Sequence, residues 1–368
     1  MEWKKLSTYT ILLLVILLFA FGVRMYYYSN YGDQALWYDE SEYLLRSESF
    51  VMDSLEDAEG ISERRPVLMP LIWSGVIALG GGELTIKFLQ VLISVLGIYF
   101  MYLLGREVKG EKLGLIMAAL MSFFWMHIFF SIRIMLDEVT LAVTVLAVYF
   151  FVRWYKKKRL KDAIYTGVLS GVALLLFYIP LYLVALFLAF LIILSRQKFL
   201  KEKTFWYGVL AYVLTLTPWL LWSWVKYGNP LYGFTSYHGS WEVLPGYDYG
   251  LWGFIKVIPT SLFISMFVFF LFGLAKSLFD VVISIDHIVK RKTKKYDWDL
   301  LFLFWMCGVT LALAIEIIHV EPRYMMPAFV GVFYFLAKGL VFLYEAIIKN
   351  VKVKNVKIAA SILIMLIL

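Results

Sequence analysis

Residues 36–43 read LWYDESEY, placing Asp39, Glu40 and Glu42 directly after an apolar run that ends in MYYYSN. Carboxylates set so close together can take up a proton when a site positions them. At a bare helix start they are a solvated pair favoured by the dipole. Arginines stand at other edges of apolar sequence: Arg64 and Arg65 in RRPVLMPLIW, Arg133 in SIRIMLDE and Arg323 in HVEPRY. The planar guanidinium fork suits phosphate and carboxylate groups. Asp137 and Glu138 follow Arg133 by four and five residues, a spacing that would allow an Arg133–Asp137 ion pair if the segment were helical. The densest group is His319, Glu321, Arg323 and Tyr324, packed between two apolar runs. The ordinary alternative for a single arginine is a side chain snorkelling at a bilayer edge. His127, on an apolar stretch, reads as an interior histidine, and the aromatic residues around His238 as interface anchors.

The elements that must position these residues are membrane helices. The chain has 368 residues, of which 62% are hydrophobic and only 17% charged, too little polar surface to cover a soluble globule. Several apolar segments exceed the roughly 18 residues that mark a spanning helix, and none alternates as outer-membrane strands do. The expected fold class is an all-α integral membrane protein, a multi-span helical bundle of about ten to eleven spans. Spans are expected over 6–28, 84–104, 113–131, 134–152, 163–179, 181–195, 205–225, 254–275, 300–318 and 325–346, with a further apolar run from Ile358. That last run is too short to cross, which predicts that the parent chain continues beyond it. Cys307 lies in an apolar run and reads as a small core residue. The net charge of +8 resides in basic clusters between apolar runs, which speaks for membrane topology and against nucleic acid.

Those clusters, REVKGEK, RWYKKKRLK, RQKFLKEK, KRKTKK and KNVKVKNVK, fall at every second connection. By the positive-inside rule they are cytoplasmic, which puts the N-terminus inside and residues 29–83 outside as a first external loop. Within that loop, 29–65 holds ten acids against three arginines. Residues 66–79 are apolar but too short to span, so they are expected to lie along the surface as an interfacial helix. The isolated charges Arg133 and Arg323 share the external side. Burying such a charge costs about 2.5–3.5 kcal/mol, which makes each a functional candidate.

The adjacent acids YDE after the first span, RRPVLMPLIW leading through GGELTIKFLQ, the SIRIMLDE turn and the late EPRYMMP occur in an order and on a shared side that resemble the membrane glycosyltransferases of the type C fold. The nearest groups are the protein O-mannosyltransferases and the lipid A aminoarabinose transferases. The resemblance covers most of the chain as a single polytopic domain. It implies transfer of a sugar from a polyprenyl (dolichyl-type) phosphate to an acceptor hydroxyl or amine outside the cytoplasm. The implied partners are a lipid-linked sugar donor, a protein, lipid or glycan acceptor, and membrane lipids.

The resemblance assigns Asp39 as general base toward a weak acceptor nucleophile. Adjacent side chains diverge, so Glu40 is given a secondary role in orienting the loop or contacting substrate. Arg323, Arg133, Arg64 and Arg65 become candidates for the departing phosphate. Asp137, Glu42, Tyr324, Glu321 and His319 become candidates for sugar or acceptor contact. No cofactor is required, and a divalent metal is possible but not indicated. The sequence has no Walker loop, HExxH or GxSxG. It also lacks the WWDYG signature of oligosaccharyltransferases, which argues against transfer of a whole oligosaccharide to Asn. The competing readings are a transporter, for which inverted repeats are missing, and a non-catalytic scaffold, for which Asp39 would be dispensable.

Overall fold

A computed structural model describes residues 7–52, 65–238, 250–316 and 319–350. Arg64, the connection 239–249 and the final apolar run lie outside the described residues. The described chain is helical: α1 (Thr8–Tyr31), α2 (Tyr38–Ser49), α3 (Leu68–Ala78), α4 (Glu83–Lys109), α5 (Glu111–Phe123), α6 (Trp125–Phe130), α7 (Asp137–Lys157) and α8 (Leu160–Leu176) form the first part. Then come α9 (Tyr182–Ser195), α10 (Lys203–Tyr227), α11 (Tyr232–His238), α12 (Gly250–Ser261), α13 (Ile264–Ile283), α14 (Ile285–Val289), α15 (Asp297–Glu316) and α16 (Met326–Asn350). Short 3-10 turns precede α9 (Ile179–Leu181), follow it (Arg196–Lys201) and precede α16 (Pro322–Met325).

Among the described residues, 8 helical segments are long and apolar enough to cross a membrane, and the chain is a multi-pass membrane protein. The expected spans are drawn differently at three places, while the chain still passes from one end of the bundle to the other through α5–α6 and through α8. The segment 113–131 breaks at Phe124, whose extended backbone interrupts the hydrogen-bond ladder between α5 and α6. The span expected over 163–179 is a helix of 17 residues, about 25 Å long at 1.5 Å per residue. The expected 254–275 span is two helices: α12 contains Pro259, and the extended Phe263 separates it from α13, which carries the crossing length. Helix α3, with 11 residues, is too short to cross, as expected of an interfacial segment.

Close helix contact depends on missing side chains. A Cβ on Gly273 would strike the Phe335 carbonyl, and one on Gly339 would strike that of Phe269, so α13 and α16 cross backbone to backbone. A second tie is polar. Arg24, inside α1 and fully buried, donates from Nε to Ser94 Oγ (2.7 Å) and contacts His127 Nδ1 through Nη2 (2.6 Å). On its other side, His127 Nε2 stands 3.1 Å from Glu138 Oε2. This chain fastens α1 to α4, α6 and the first turn of α7, and it gives the buried Arg24 polar partners in apolar surroundings that would otherwise penalise its charge. Cys307 corrects its expected place: it is exposed on the outer surface of α15 and not in the core.

The antiparallel order divides the loops between two ends. At one end Lys87, at the start of α4, donates to the Gly32 carbonyl just after α1 (2.7 Å). At the other, Lys109 at the end of α4 lies 3.5 Å from Asp299 at the start of α15. The described basic connections meet at this second end. Asp39, Glu40 and Glu42 meet Arg65, Arg133 and Arg323 at the first.

Candidate active site

Asp39 and Glu40 are neighbours in the first turn of α2, where carboxylates are favoured by the helix dipole. Their side chains diverge. Glu40 is fully buried and accepts hydrogen bonds from the backbone N–H of Trp37 (2.8 Å) and of Ile134 (2.8 Å). Arg133 Nη1 completes its shell at 3.0 Å. Asp39 points the other way and keeps 21% of its side chain exposed. Only Asp39 of the two is open to a substrate.

Two arginines hold Asp39. Arg65 Nη2 lies 2.6 Å from Oδ1, and Arg323 Nη2 lies 2.8 Å from Oδ2. Arg65 is oriented in turn: Nε donates to Glu42 Oε2 (2.8 Å), Nη1 donates to Tyr43 Oη (3.2 Å), and its carbonyl accepts from the buried Arg46 (2.6 Å). Arg323 is braced on its far side by Glu321, whose Oε2 is 2.6 Å from Nε, and Glu321 also meets His319 Nε2 at 3.0 Å. The Tyr324 ring packs against the Arg323 guanidinium at 5.1 Å. Asp137, at the start of α7, lines a small cavity together with Arg323 and Tyr324. Burial alone would raise the Asp39 carboxyl, but Arg65 and Arg323 outweigh it and hold Asp39 below its ordinary carboxylate range. Tyr43 is pushed up to about 12 by burial, so its phenol remains protonated.

The structure therefore brings together Asp39, Glu42, Arg65, Asp137, His319, Glu321, Arg323 and Tyr324. Arg133 stands apart. It is buried, with Nη2 on Gln34 Oε1 (2.9 Å), Nη1 on Glu40 and its guanidinium over the Trp37 ring (4.5 Å). The helical Arg133–Asp137 pair does not form, because α6 ends at Phe130 and α7 begins at Asp137, leaving Arg133 in the turn between them. Residues that the sequence did not single out support the site: Gln34 and Trp37 beside Arg133, Tyr43 and Arg46 around Arg65, and Lys87, which pins the loop after α1. Lys87 was visible as a lone cation in an apolar run; the others had no sequence signal. Among the described residues no three His, Cys, Asp or Glu side chains form a metal-ligand set. The carboxylates here surround arginines instead.

A family model described as dolichyl-phosphate-mannose-protein mannosyltransferase matches residues 64–222. No curated protein sequence matches the chain. Among solved structures, ArnT from Cupriavidus metallidurans bound to undecaprenyl phosphate aligns with a TM-score of 0.61 at 14% identity, covering 97% of this chain and 70% of that one. Its apo form aligns with a TM-score of 0.60 at 12% identity over the same shares. The archaeal oligosaccharyltransferase AglB from Archaeoglobus fulgidus, in complex with an inhibitory peptide and a dolichol-phosphate, aligns with a TM-score of 0.65 at 16% identity. This chain, fully covered in that alignment, spans 55% of the AglB chain. At such identities the likeness is one of fold: the chain has the type C fold of membrane glycosyltransferases.

Proposed function

We propose that the protein transfers a sugar from a polyprenyl phosphate to an acceptor hydroxyl or amine, with Asp39 as general base and Arg65 and Arg323 receiving the departing phosphate. The observation that carries this reading is the placement of one partly exposed carboxylate between two arginines. The acceptor's proton passes to Asp39 as its oxygen or nitrogen bonds to the anomeric carbon. The bond from that carbon to the phosphate oxygen breaks, and the electron pair leaves on the phosphate. Attack from the face opposite the phosphate inverts the anomeric centre. The structures of similar fold that hold undecaprenyl phosphate and dolichol-phosphate support a lipid phosphate as the leaving group.

A carboxylate held low by two arginines is a weak base. An arriving phosphate competes for the same guanidinium forks, and each hydrogen bond it takes from Asp39 makes that carboxylate more basic. Base and leaving-group stabilisation are thus coupled through shared partners. The two arginines give the departing phosphate fixed hydrogen-bond donors, and the proposed steps invoke no metal. The same reading gives Asp137, Glu321 and Tyr324 contact with the sugar or acceptor. With the basic turns cytoplasmic by the positive-inside rule, the chemistry takes place on the extracytoplasmic side of the cell membrane.

The test is Asp39→Asn, assayed for transfer of radiolabelled sugar from a synthetic polyprenyl phosphate alongside donor binding. Loss of turnover with donor binding retained is expected, because the amide cannot accept the proton. Near-wild-type turnover would remove the general-base assignment, and absence of any transfer by the unaltered protein would leave a scaffold or transporter.

A further inference from the structure

The opposite end of the bundle holds a cavity of about 550 Å³ framed by the α7–α8 turn, the 3-10 turn Arg196–Lys201 and the α14–α15 connection. Its rim carries Lys158, Arg196, Lys198, Lys290, Arg291 and Lys294, against a single lining carboxylate, Glu202. Two of these cations have carboxylate partners close by: Asp286 lies 2.7 Å from Lys290 and Asp297 lies 2.9 Å from Arg291. Lys158 instead sits over the rings of Trp154 (4.3 Å) and Tyr155 (5.1 Å), and Lys198 and Lys294 are exposed. Lys158, Arg196 and Arg291 have φ values of 51°, 50° and 56°, and among the described residues they are the non-glycine residues with positive φ. That region disfavours L side chains. All three turns nevertheless put a cation on this one rim.

The cavity is not polar throughout. Leu194, Phe199 and Val289 also line it. Beside it, among α7, α8, α9 and α10, lies a second cavity of about 370 Å³, with Phe151, Phe187, Leu191 and Val209 among its largely apolar lining. The two adjoin through paired side chains. Trp154 lines the apolar cavity and carries the Lys158 ammonium on its ring, while Phe205, also in the apolar cavity, packs at 5.0 Å on Phe199 of the basic one. Leu191 and Leu194 continue the surface along one turn of α9.

We infer that the two cavities together bind one anionic lipid, its phosphate-bearing head group in the basic cavity and a hydrocarbon chain in the apolar one. Basic pockets between spanning helices attract phosphate head groups, at about 1 kcal/mol per Lys or Arg near the surface. The adjoining apolar space lies in the membrane half nearest those cations, where the chain of such a lipid runs. Inorganic phosphate would use only the first cavity, and a zwitterionic lipid would gain little from the rim. The inference does not rest on the proposed reaction, whose residues lie at the other end of the helices.

Native mass spectrometry of the full chain in detergent tests it, with titrations of phosphatidylglycerol, of phosphatidylcholine carrying the same chains, and of glycerol phosphate. One bound phosphatidylglycerol, held at least about tenfold more tightly than phosphatidylcholine, is expected. The combined Lys158→Gln, Lys198→Gln and Lys294→Gln substitutions should remove that preference. Val209→Trp, which fills the apolar cavity, should weaken the lipid while sparing glycerol phosphate. If the triple variant does not fold, the exposed Lys198→Gln alone carries the comparison and should reduce the preference. Equal binding of the two lipids, or an unchanged preference in the lysine variants, would overturn the head-group site. Glycerol phosphate binding as tightly as phosphatidylglycerol would overturn the chain site. A polyprenyl phosphate that displaces phosphatidylglycerol would identify the lipid as a prenyl carrier, and one that does not would identify it as a phospholipid.

Discussion

Arg323 Nη2 stands 2.8 Å from Asp39 Oδ2 across 284 positions of sequence, joining the turn before α16 to the first turn of α2. Asp39 on one side and Glu321 on the other fix the guanidinium, while Arg65 grips the second oxygen of Asp39. Neither partner is free to change without consequence for the other. A ligand that engages the arginines alters the basicity of Asp39, and loss of Asp39 leaves two partly buried cations with one fewer carboxylate.

Glu40→Gln is expected to act on stability first. Glu40 is fully buried and is the carboxylate beside Arg133, so the amide leaves a buried guanidinium uncompensated, at a cost of about 3 kcal/mol. Thermal unfolding in detergent should show a lowered melting temperature for Glu40→Gln and a smaller change for Asp39→Asn. Equal melting temperatures would mean that the Arg133–Glu40 pair contributes little.

How much of this could be read in the sequence follows from range. The alternation of apolar runs and basic clusters is local, and it anticipated the bundle and which loops share an end. The segments holding Asp39, Arg65 and Arg323 stood out because charges are scarce at such edges. Pairing was not legible. Arg133 and Arg65 look alike in sequence, yet the turn after α6 carries Arg133 into the buried shell of Glu40, whereas the bend before α3 brings Arg65 onto Asp39. Arg24 was hidden for a different reason: a lone arginine in a long apolar run gives no hint of His127 and Glu138, which lie on other helices. The break at Phe263 likewise leaves no mark in hydropathy, since the sequence stays apolar across it.

Asp39 sets a pH dependence with a definite sign. Its folded-state carboxyl is held below the ordinary value, so its ion pairs contribute stability above about pH 4 that is lost as pH falls through the folded pKa. For activity, the acid limb of kcat, which reports the donor-bound enzyme, should lie at higher pH than that of kcat/KM for the donor, because bound phosphate draws the arginines away. Coincident limbs would show that the phosphate does not share these partners.

Sidedness is testable with single cysteines after Cys307→Ser. Cysteine placed at Asp33 or Asn229 should react with a membrane-impermeant maleimide in intact cells. Cysteine at Lys161 or Lys198 should react only after permeabilisation. The basis is the collection of basic turns at one end of the bundle. The reverse pattern would invert the protein and move the candidate active site to the cytoplasm.

Arg323→Lys separates charge from geometry. Lysine keeps a cation near Asp39 and Glu321, so the ion-paired cluster and the fold should survive. It has no planar fork, however, and cannot bridge a carboxylate and a phosphate oxygen with parallel N–H bonds. Transfer efficiency, measured as kcat/KM for the donor, should fall by about tenfold or more, since one charge-assisted hydrogen bond is worth about 1.5–3 kcal/mol. Arg323→Ala should lose more, and its melting temperature should fall as well, because Asp39, Glu321 and Asp137 are left around an empty position. A Lys variant with wild-type kcat/KM would show that Arg323 serves the cluster as charge alone. The phosphate-binding role would then pass to Arg65, which holds the other oxygen of Asp39 at 2.6 Å.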